Sequence, residues 1–160
     1  MVRLSVIALA CLLAASSFCG AAEFTSPNGK VKAEVLSLNE RNCEARIVIR
    51  RGDRLLAGTS FQSADHEHGM CVDLAKWTAD SRFFVFSLYS SGGHQPWHAP
   101  IMFFSMRFGR ILALEHFLKD PITDTKFGLS PPNIVEFTTG TDTPLLRKIR
   151  LDTLNLVSPK

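Results

Sequence analysis

Hydrophobic and polar residues alternate along the first part of the chain. Positions 31, 33 and 35 are apolar while Lys32 and Glu34 are charged. Residues 45–49 show a similar alternation before a turn at residues 50–53. Because successive side chains of a strand point to opposite faces of a sheet, this period of two predicts two half-buried β-strands. The polar residues 39–42 between them suit a hairpin loop.

The centre of the chain is more continuously apolar. Residues 83–89 and 101–106 are runs of aromatic and aliphatic residues of about strand length. Such runs suit strands that are covered on both faces of a sheet. A turn at Gly109 then leads into the apolar residues 111–114, which complete a predicted hairpin.

The last third of the chain is interrupted by prolines. Residues 113–119 fit either a strand end or a short helix, and that choice stays open. Three prolines within residues 120–133 indicate a looping segment. Final strands are expected at residues 134–137 and 149–154. The pattern as a whole predicts an all-β, mainly antiparallel domain.

The first 22 residues follow a different pattern. Arg3 is the only charge before Glu23, residues 4–18 are almost all apolar, and small residues occupy positions 19–22. These are the parts of a secretory signal peptide, and 15 residues at about 1.5 Å each fall short of the roughly 30 Å hydrocarbon layer of a membrane. We therefore expect cleavage near Ala22, a single mature domain at 23–160 without a transmembrane segment, and a secreted or periplasmic location.

Cysteine usage and charge agree with export. The mature chain keeps Cys43 and Cys71, which in an oxidising compartment predict one disulfide, with two separate buried thiols as the alternative. A hydrophobic fraction of 46% excludes disorder. The formal charge of +3 comes without a basic block, so no nucleic-acid partner is expected. The basic turn of Arg50, Arg51 and Arg54 is expected to be a solvated hairpin end, because nothing near it in sequence completes an anion site.

Two segments of the chain are similar to each other. Residues 24–31, Phe-Thr-Ser-Pro-Asn-Gly-Lys-Val, resemble residues 77–84, Trp-Thr-Ala-Asp-Ser-Arg-Phe-Phe, at an offset of 53 residues. In each, an aromatic residue and a threonine precede a turn pair, a base and a strand. The shared pattern predicts an aromatic anchor before a tight turn that begins a buried strand. Trp77 is accordingly expected in the core.

Residues 77–87 resemble the Trp-Ser-Pro-Asp-Gly-Lys signature of WD40-like blades in TolB-type β-propellers. Residues 101–110 are similar to the strand pair that follows in such a blade. The resemblance covers residues 70–115 and, in part, residues 24–60. It implies propeller-blade-like meanders, with a β-sandwich as the alternative, and a protein-binding scaffold without catalytic residues. The chain is too short for the four blades that a closed propeller needs.

The sequence Asp65-His66-Glu67-His68 is a candidate metal site. On a strand its two imidazoles, His66 and His68, would project from one face about 7 Å apart. That spacing can hold zinc or a similar divalent metal if a third ligand comes from elsewhere. A solvated polar loop is the alternative interpretation.

Residues 90–98 form the second candidate site. Gly92 and Gly93 allow an unusual backbone, and Trp97 offers a flat surface between His94 and His98. A loop of this kind between two buried strands is a common way to display a binding surface. In the alternative interpretation, Trp97 covers the core and the two histidines have no role.

The usual catalytic motifs for nucleophilic, phosphate-binding, zinc and dinucleotide chemistry are absent from the sequence. We therefore expect a binding or interaction module that needs no cofactor. Its partner would be another exported or envelope protein, and its contact surface would comprise Gly92, Gly93, His94, Trp97 and His98. Two alternatives stay open: a small metal-dependent enzyme that uses His66, His68 and either His94 or His98, and a structural component of the cell envelope.

Overall fold

The structure is a computed structural model that describes residues 21–39, 42–65, 67–92 and 99–155. Within these ranges the chain forms eleven strands and two short 3₁₀ helices, and every strand pair is antiparallel. The predicted all-β, mainly antiparallel class is confirmed, and no sheet formed by these residues closes into a barrel or propeller.

The strands, in chain order, are β1 (Ala22–Thr25), β2 (Lys32–Asn39), β3 (Asn42–Arg51), β4 (Arg54–Ser60), β5 (Met70–Trp77), β6 (Phe83–Ser90), β7 (Ile101–Ser105), β8 (Arg110–Ala113), β9 (Gly128–Ser130), β10 (Ile134–Thr139) and β11 (Leu145–Arg150). The 3₁₀ helices are Leu114–Phe117 and Leu151–Thr153. Among the described residues, no helix is long and apolar enough to span a membrane.

Strands β1 to β8 belong to one eight-stranded sheet, whose two halves are joined where β3 pairs with β5. We call the half formed by β1 to β4 the first sheet and the half formed by β5 to β8 the second sheet. In the first sheet each strand pairs with the next along the chain. Buried and exposed side chains alternate as the sequence pattern predicts, because Ala33, Ile47 and Ile49 are buried while Lys32 and Arg46 are exposed. The predicted hairpin between β2 and β3 is confirmed by their antiparallel pairing up to residues 39 and 42. Residues 40 and 41 lie outside the described ranges.

Strands β5 to β8 form the second sheet, again with each strand paired to the next. Six consecutive residues of β6, from 83 to 88, are buried. Phe84 and Phe86 pack against the first sheet, whereas Phe83 and Val85 pack against the third. The prediction that these apolar runs are covered on both faces is therefore confirmed.

Strands β9 to β11 form a smaller third sheet. Val135 and Phe137 of β10 face the second sheet, so the three sheets stack as layers with two apolar clusters between them. The strand expected at residues 149–154 is wrong in extent. Strand β11 ends at Arg150, where a 3₁₀ helix begins. This helix buries Leu151, whose backbone N–H donates a hydrogen bond to the Asn133 carbonyl at 3.0 Å.

The two similar sequence segments fold into the same turn. The hydroxyl of Ser26 accepts a hydrogen bond from the Val31 backbone N–H at 3.0 Å, and the hydroxyl of Thr78 accepts one from the Phe83 N–H at 3.1 Å. The turns have positive φ angles of 71° at Gly29 and 61° at Ser81. These equivalences set the offset at 52 residues and correct the value of 53, because Ser26 rather than the preceding threonine matches Thr78.

The two turns also touch each other. The Asn28 backbone N–H donates to the Ser81 hydroxyl at 3.1 Å, and the Trp77 indole donates to the Phe24 carbonyl at 2.8 Å. Trp77 is half-buried against Phe84, with ring centroids 5.2 Å apart. The repeated turn therefore fastens the first sheet to the second at one end of the strands.

Candidate functional site

The opposite end of these strands carries His68 and Gly92, two of the residues that the sequence singled out. There β3 and β5 begin and β6 ends, so the connections β4–β5 and β6–β7 emerge side by side. His68 and Gly92 lie within the described residues. The other predicted site residues, His66, Gly93, His94, Trp97 and His98, lie outside them.

A disulfide joins the first two sheets at this end. Cys43 of β3 and Cys71 of β5 are bonded, with their Cα atoms 5.1 Å apart. The predicted pairing is confirmed, and the alternative of two separate thiols is wrong. Cys71 is fully buried, and its backbone pairs with that of Glu44, which joins the two sheets.

Glu44 is a buried carboxylate beside the disulfide, with 1% of its surface exposed. It accepts hydrogen bonds from the Ser63 hydroxyl at 2.8 Å, the Ser63 N–H at 3.1 Å, the Gly69 N–H at 2.6 Å and the Ser91 hydroxyl at 3.1 Å. Burial alone would raise the pKa of Glu44, but these hydrogen bonds outweigh it and lower the pKa to about 2. An ionised carboxylate thus holds both connections to the sheet.

The two connections also contact each other directly. The Ser91 backbone N–H donates to the Gly69 carbonyl at 3.0 Å, and the Ser91 hydroxyl, which also faces Glu44, lies 3.0 Å from the same carbonyl oxygen. A methyl group on Gly92 would overlap the carbonyl oxygen of Glu67 and lie 3.7 Å from a ring carbon of His68. Close approach of the two loops therefore requires glycine at position 92, and the start of the Gly92–His98 segment lies against the Asp65–His68 segment.

Asp65 and His68 form an ion pair on this surface, with 2.5 Å between Asp65 Oδ2 and His68 Nδ1. The Glu67 backbone N–H and His68 lower the pKa of Asp65, and Asp65 in turn raises the pKa of His68. Both side chains are about half exposed, at 53% and 55%. The pair therefore presents a fixed, pH-sensitive dipole to solvent.

Comparisons with protein-family models, curated proteins and solved structures found no match to this chain. Function is therefore argued from the residues themselves. Among the residues that the structure describes, no three His, Cys, Asp or Glu side chains are grouped so that they could hold a metal ion. Because His66, His94 and His98 lie outside those ranges, the metal hypothesis stays a prediction.

Sequence reasoning missed Glu44 and its serine partners. The alternation of β3 puts residue 44 in phase with the exposed Arg46, so the period of two predicts a solvated side chain. Glu44 is buried because the β4–β5 connection folds back over the strand end and covers it. A carboxylate next to a disulfide cysteine was the one available signal, and it is a weak one.

Proposed function

We propose that this chain is an exported β-rich binding module that holds another exported or envelope protein at the paired loops. The paired loops are residues 63–69 and the segment that begins at Ser91 and contains Gly92, Gly93, His94, Trp97 and His98. The observation that carries the proposal is the ionised, buried Glu44, which holds Ser63 and Gly69 of the first loop and Ser91 at the start of the second.

The frame formed by the disulfide and Glu44 supports binding because it lowers the entropic cost of association with a partner. A loop that is ordered before association loses less freedom when a partner docks. Here the disulfide and the Glu44 hydrogen bonds order residues 63, 69 and 91 in the free protein. The exposed Asp65–His68 pair supplies polar recognition, and Trp97 would supply the large apolar contact typical of interface anchors.

Export is supported by two independent features. The N-terminal apolar run has the parts of a signal peptide, and a disulfide between Cys43 and Cys71 persists best in an oxidising compartment. The exported protein should accordingly have lost about 21 or 22 residues. Intact-mass measurement of the exported chain tests this, and an N-terminus at Met1 would refute it.

A relation to WD40-like blades is part of the same proposal. Its support is that each of the first two sheets is a four-stranded meander and that both contain the same hydrogen-bonded turn, at Ser26 and Thr78. In the blade family this architecture serves as a protein-binding scaffold. Together with the three-stranded third sheet, these two meanders would form an open stack, with the paired loops at one end.

Binding is tested with the immobilised mature chain and the secreted and envelope proteins of the source cells. We expect a protein that is retained by the wild type and lost with Trp97→Ala. Leu146→Ala is the matched control, because Leu146 is 68% exposed on β11 in the third sheet. Equal retention by Trp97→Ala, or equal loss with Leu146→Ala, would contradict the proposal. Stoichiometric zinc in untagged protein, removed by His66→Ala, would favour the metal-enzyme alternative instead.

A further inference from the structure

A basic cleft lies at the end of the strands opposite to the paired loops. It has a volume of about 500 Å³ and is lined by Arg51, Arg82, Ser105, Arg107, Phe108 and Asp152, among others. Along β3, the seven residue steps from Glu44 to Arg51 correspond to about 23 Å. The cleft is therefore separate from the surface proposed above, and the inference drawn from it does not depend on that proposal.

Two hairpin turns bring the charges of this cleft together. The β3–β4 turn supplies Arg51, and the β7–β8 turn supplies Arg107. Arg82 is already neutralised by Asp80 and Asp152, at 2.8 and 2.7 Å. Within the described part of the chain, no carboxylate forms an ion pair with Arg51 or Arg107. The cleft thus keeps two guanidinium groups available for an anion.

An aromatic wall stands beside these charges. The Arg107 guanidinium lies 5.2 Å from the centroid of the Phe108 ring, and that ring is 36% exposed. An adjoining groove of about 340 Å³ shares Arg51, Arg107 and Phe108 with the cleft. A guanidinium next to an exposed ring suits a ligand that combines an oxyanion with a flat apolar group.

The floor of the cleft holds a second, independent indication of a ligand. Ser105 is fully buried and lines the cleft, and its hydroxyl has no hydrogen-bond partner among the described residues. Buried hydroxyls are nearly always paired, because leaving one unpaired costs desolvation energy. A ligand oxygen that reaches the floor would provide the missing partner.

We propose that this cleft binds a small organic anion in which a phosphate or carboxylate is attached to an aromatic group. Arg51 and Arg107 would hold the oxyanion through charge-assisted hydrogen bonds, and Phe108 would pack against the flat group. A volume of about 500 Å³ lies within the usual range for sites of small molecules. The basic turn at residues 50–54 is then half of an anion site, and the β7–β8 turn is the other half.

The test is a titration of the folded chain with phenyl phosphate, benzoate, inorganic phosphate and benzyl alcohol. Binding is monitored through chemical-shift changes of the backbone amides in NMR spectra. We expect saturable binding of phenyl phosphate or benzoate, with shifts at residues 51 and 107–109. Inorganic phosphate and benzyl alcohol should each bind at least about tenfold more weakly, because each offers half of the recognised chemistry.

Variants assign the binding to named residues. Arg107→Gln should weaken binding about tenfold, since one charge-assisted hydrogen bond is removed. Arg46→Gln is the matched control, because Arg46 is an exposed arginine of the same strand as Arg51 and does not line the cleft. Ser105→Ala should keep the fold, because its hydroxyl has no partner to lose, and should weaken binding several-fold.

Four results would overturn the proposal. The first is no saturable shift with either aromatic anion, and the second is equal binding of inorganic phosphate and phenyl phosphate. The third is equal weakening by Arg46→Gln and Arg107→Gln, which would indicate attraction to the net charge alone. Tighter binding of an acidic peptide, with shifts spread over the surface, would likewise overturn it in favour of a macromolecular partner.

Discussion

The disulfide between Cys43 and Cys71 should stabilise the protein mainly by restricting its unfolded chain. The two cysteines are separated by 28 positions in sequence. For a closed loop of that size, the chain-entropy relation gives a loss of about 12 cal/mol/K, or about 3.6 kcal/mol at 25 °C. This is a large part of the total stability expected for a domain of this size.

The folded state has other means of keeping the same geometry. Glu44 pairs with Cys71 through the backbone and holds the adjoining loops through its carboxylate. We therefore expect the reduced protein to fold and to keep these loops in the same position. The variant to make is Cys43→Ala with Cys71→Ala, because a serine hydroxyl at the buried position 71 would lack a partner.

The measurement is urea unfolding at pH 7, monitored by tryptophan fluorescence, with and without reductant. Reduction of the wild type should lower the free energy of unfolding by about 3.6 kcal/mol and the Tm by roughly 10–15 °C. The double variant should resemble the reduced wild type and should not respond to reductant, which controls for other effects of the reagent. A loss smaller than about 1 kcal/mol would refute the chain-entropy reasoning.

Three further predictions concern single side chains. Trp77→Ala should lower the free energy of unfolding by about 3 kcal/mol, because the indole packs on Phe84 and donates a hydrogen bond to the Phe24 carbonyl. Trp97→Ala should lower it by less than about 0.5 kcal/mol. Similar urea midpoints for the two variants would contradict this. Glu44→Gln should lower the Tm by several degrees at pH 7. Because the pKa of Glu44 is lowered to about 2, the wild type should lose stability as the pH falls from about 5 towards 2, and a Glu44→Gln acid-unfolding curve of equal slope would be the contrary result. Asp80→Ala should cost about 2 kcal/mol, because Asp80 accepts hydrogen bonds from the side chains of Thr78, Arg82 and Asn133; an unchanged urea midpoint would show that this cluster does not hold the sheets together.

Strong periodicity made the buried strands predictable. Strands β2, β3, β6 and β7 were expected close to their observed positions because each buries a regular set of apolar side chains. Strand β4 gave no such signal, since its Leu55 is 56% exposed although the strand pairs with β3 along its length. Strand β5 contains a register shift between Val72 and Ala75, which breaks its alternation. The three-residue β9 depends on its pairing with β10 rather than on any local pattern.

The sites were less predictable than the strands because they depend on tertiary contacts. The disulfide could be inferred from cysteine count and compartment alone. The contact of Gly92 with the Asp65–His68 segment could not, since it arises where two connections leave neighbouring strands. The basic turn at Arg51 looked incomplete because Arg107 is distant in sequence and approaches only when the first two sheets stack face to face.

The two ends of the strands should bind their ligands independently. About 23 Å of β3 separates Glu44 from Arg51, and perturbations that far apart are usually additive. Reduction of the Cys43–Cys71 disulfide should therefore leave the Kd for phenyl phosphate within about twofold of its value in the oxidised protein. The titration is made at a temperature where far-UV circular dichroism shows that the reduced protein is folded. A change above about fivefold would contradict independent sites on a rigid frame, because loosening the loop end would then alter the cleft through the buried second sheet.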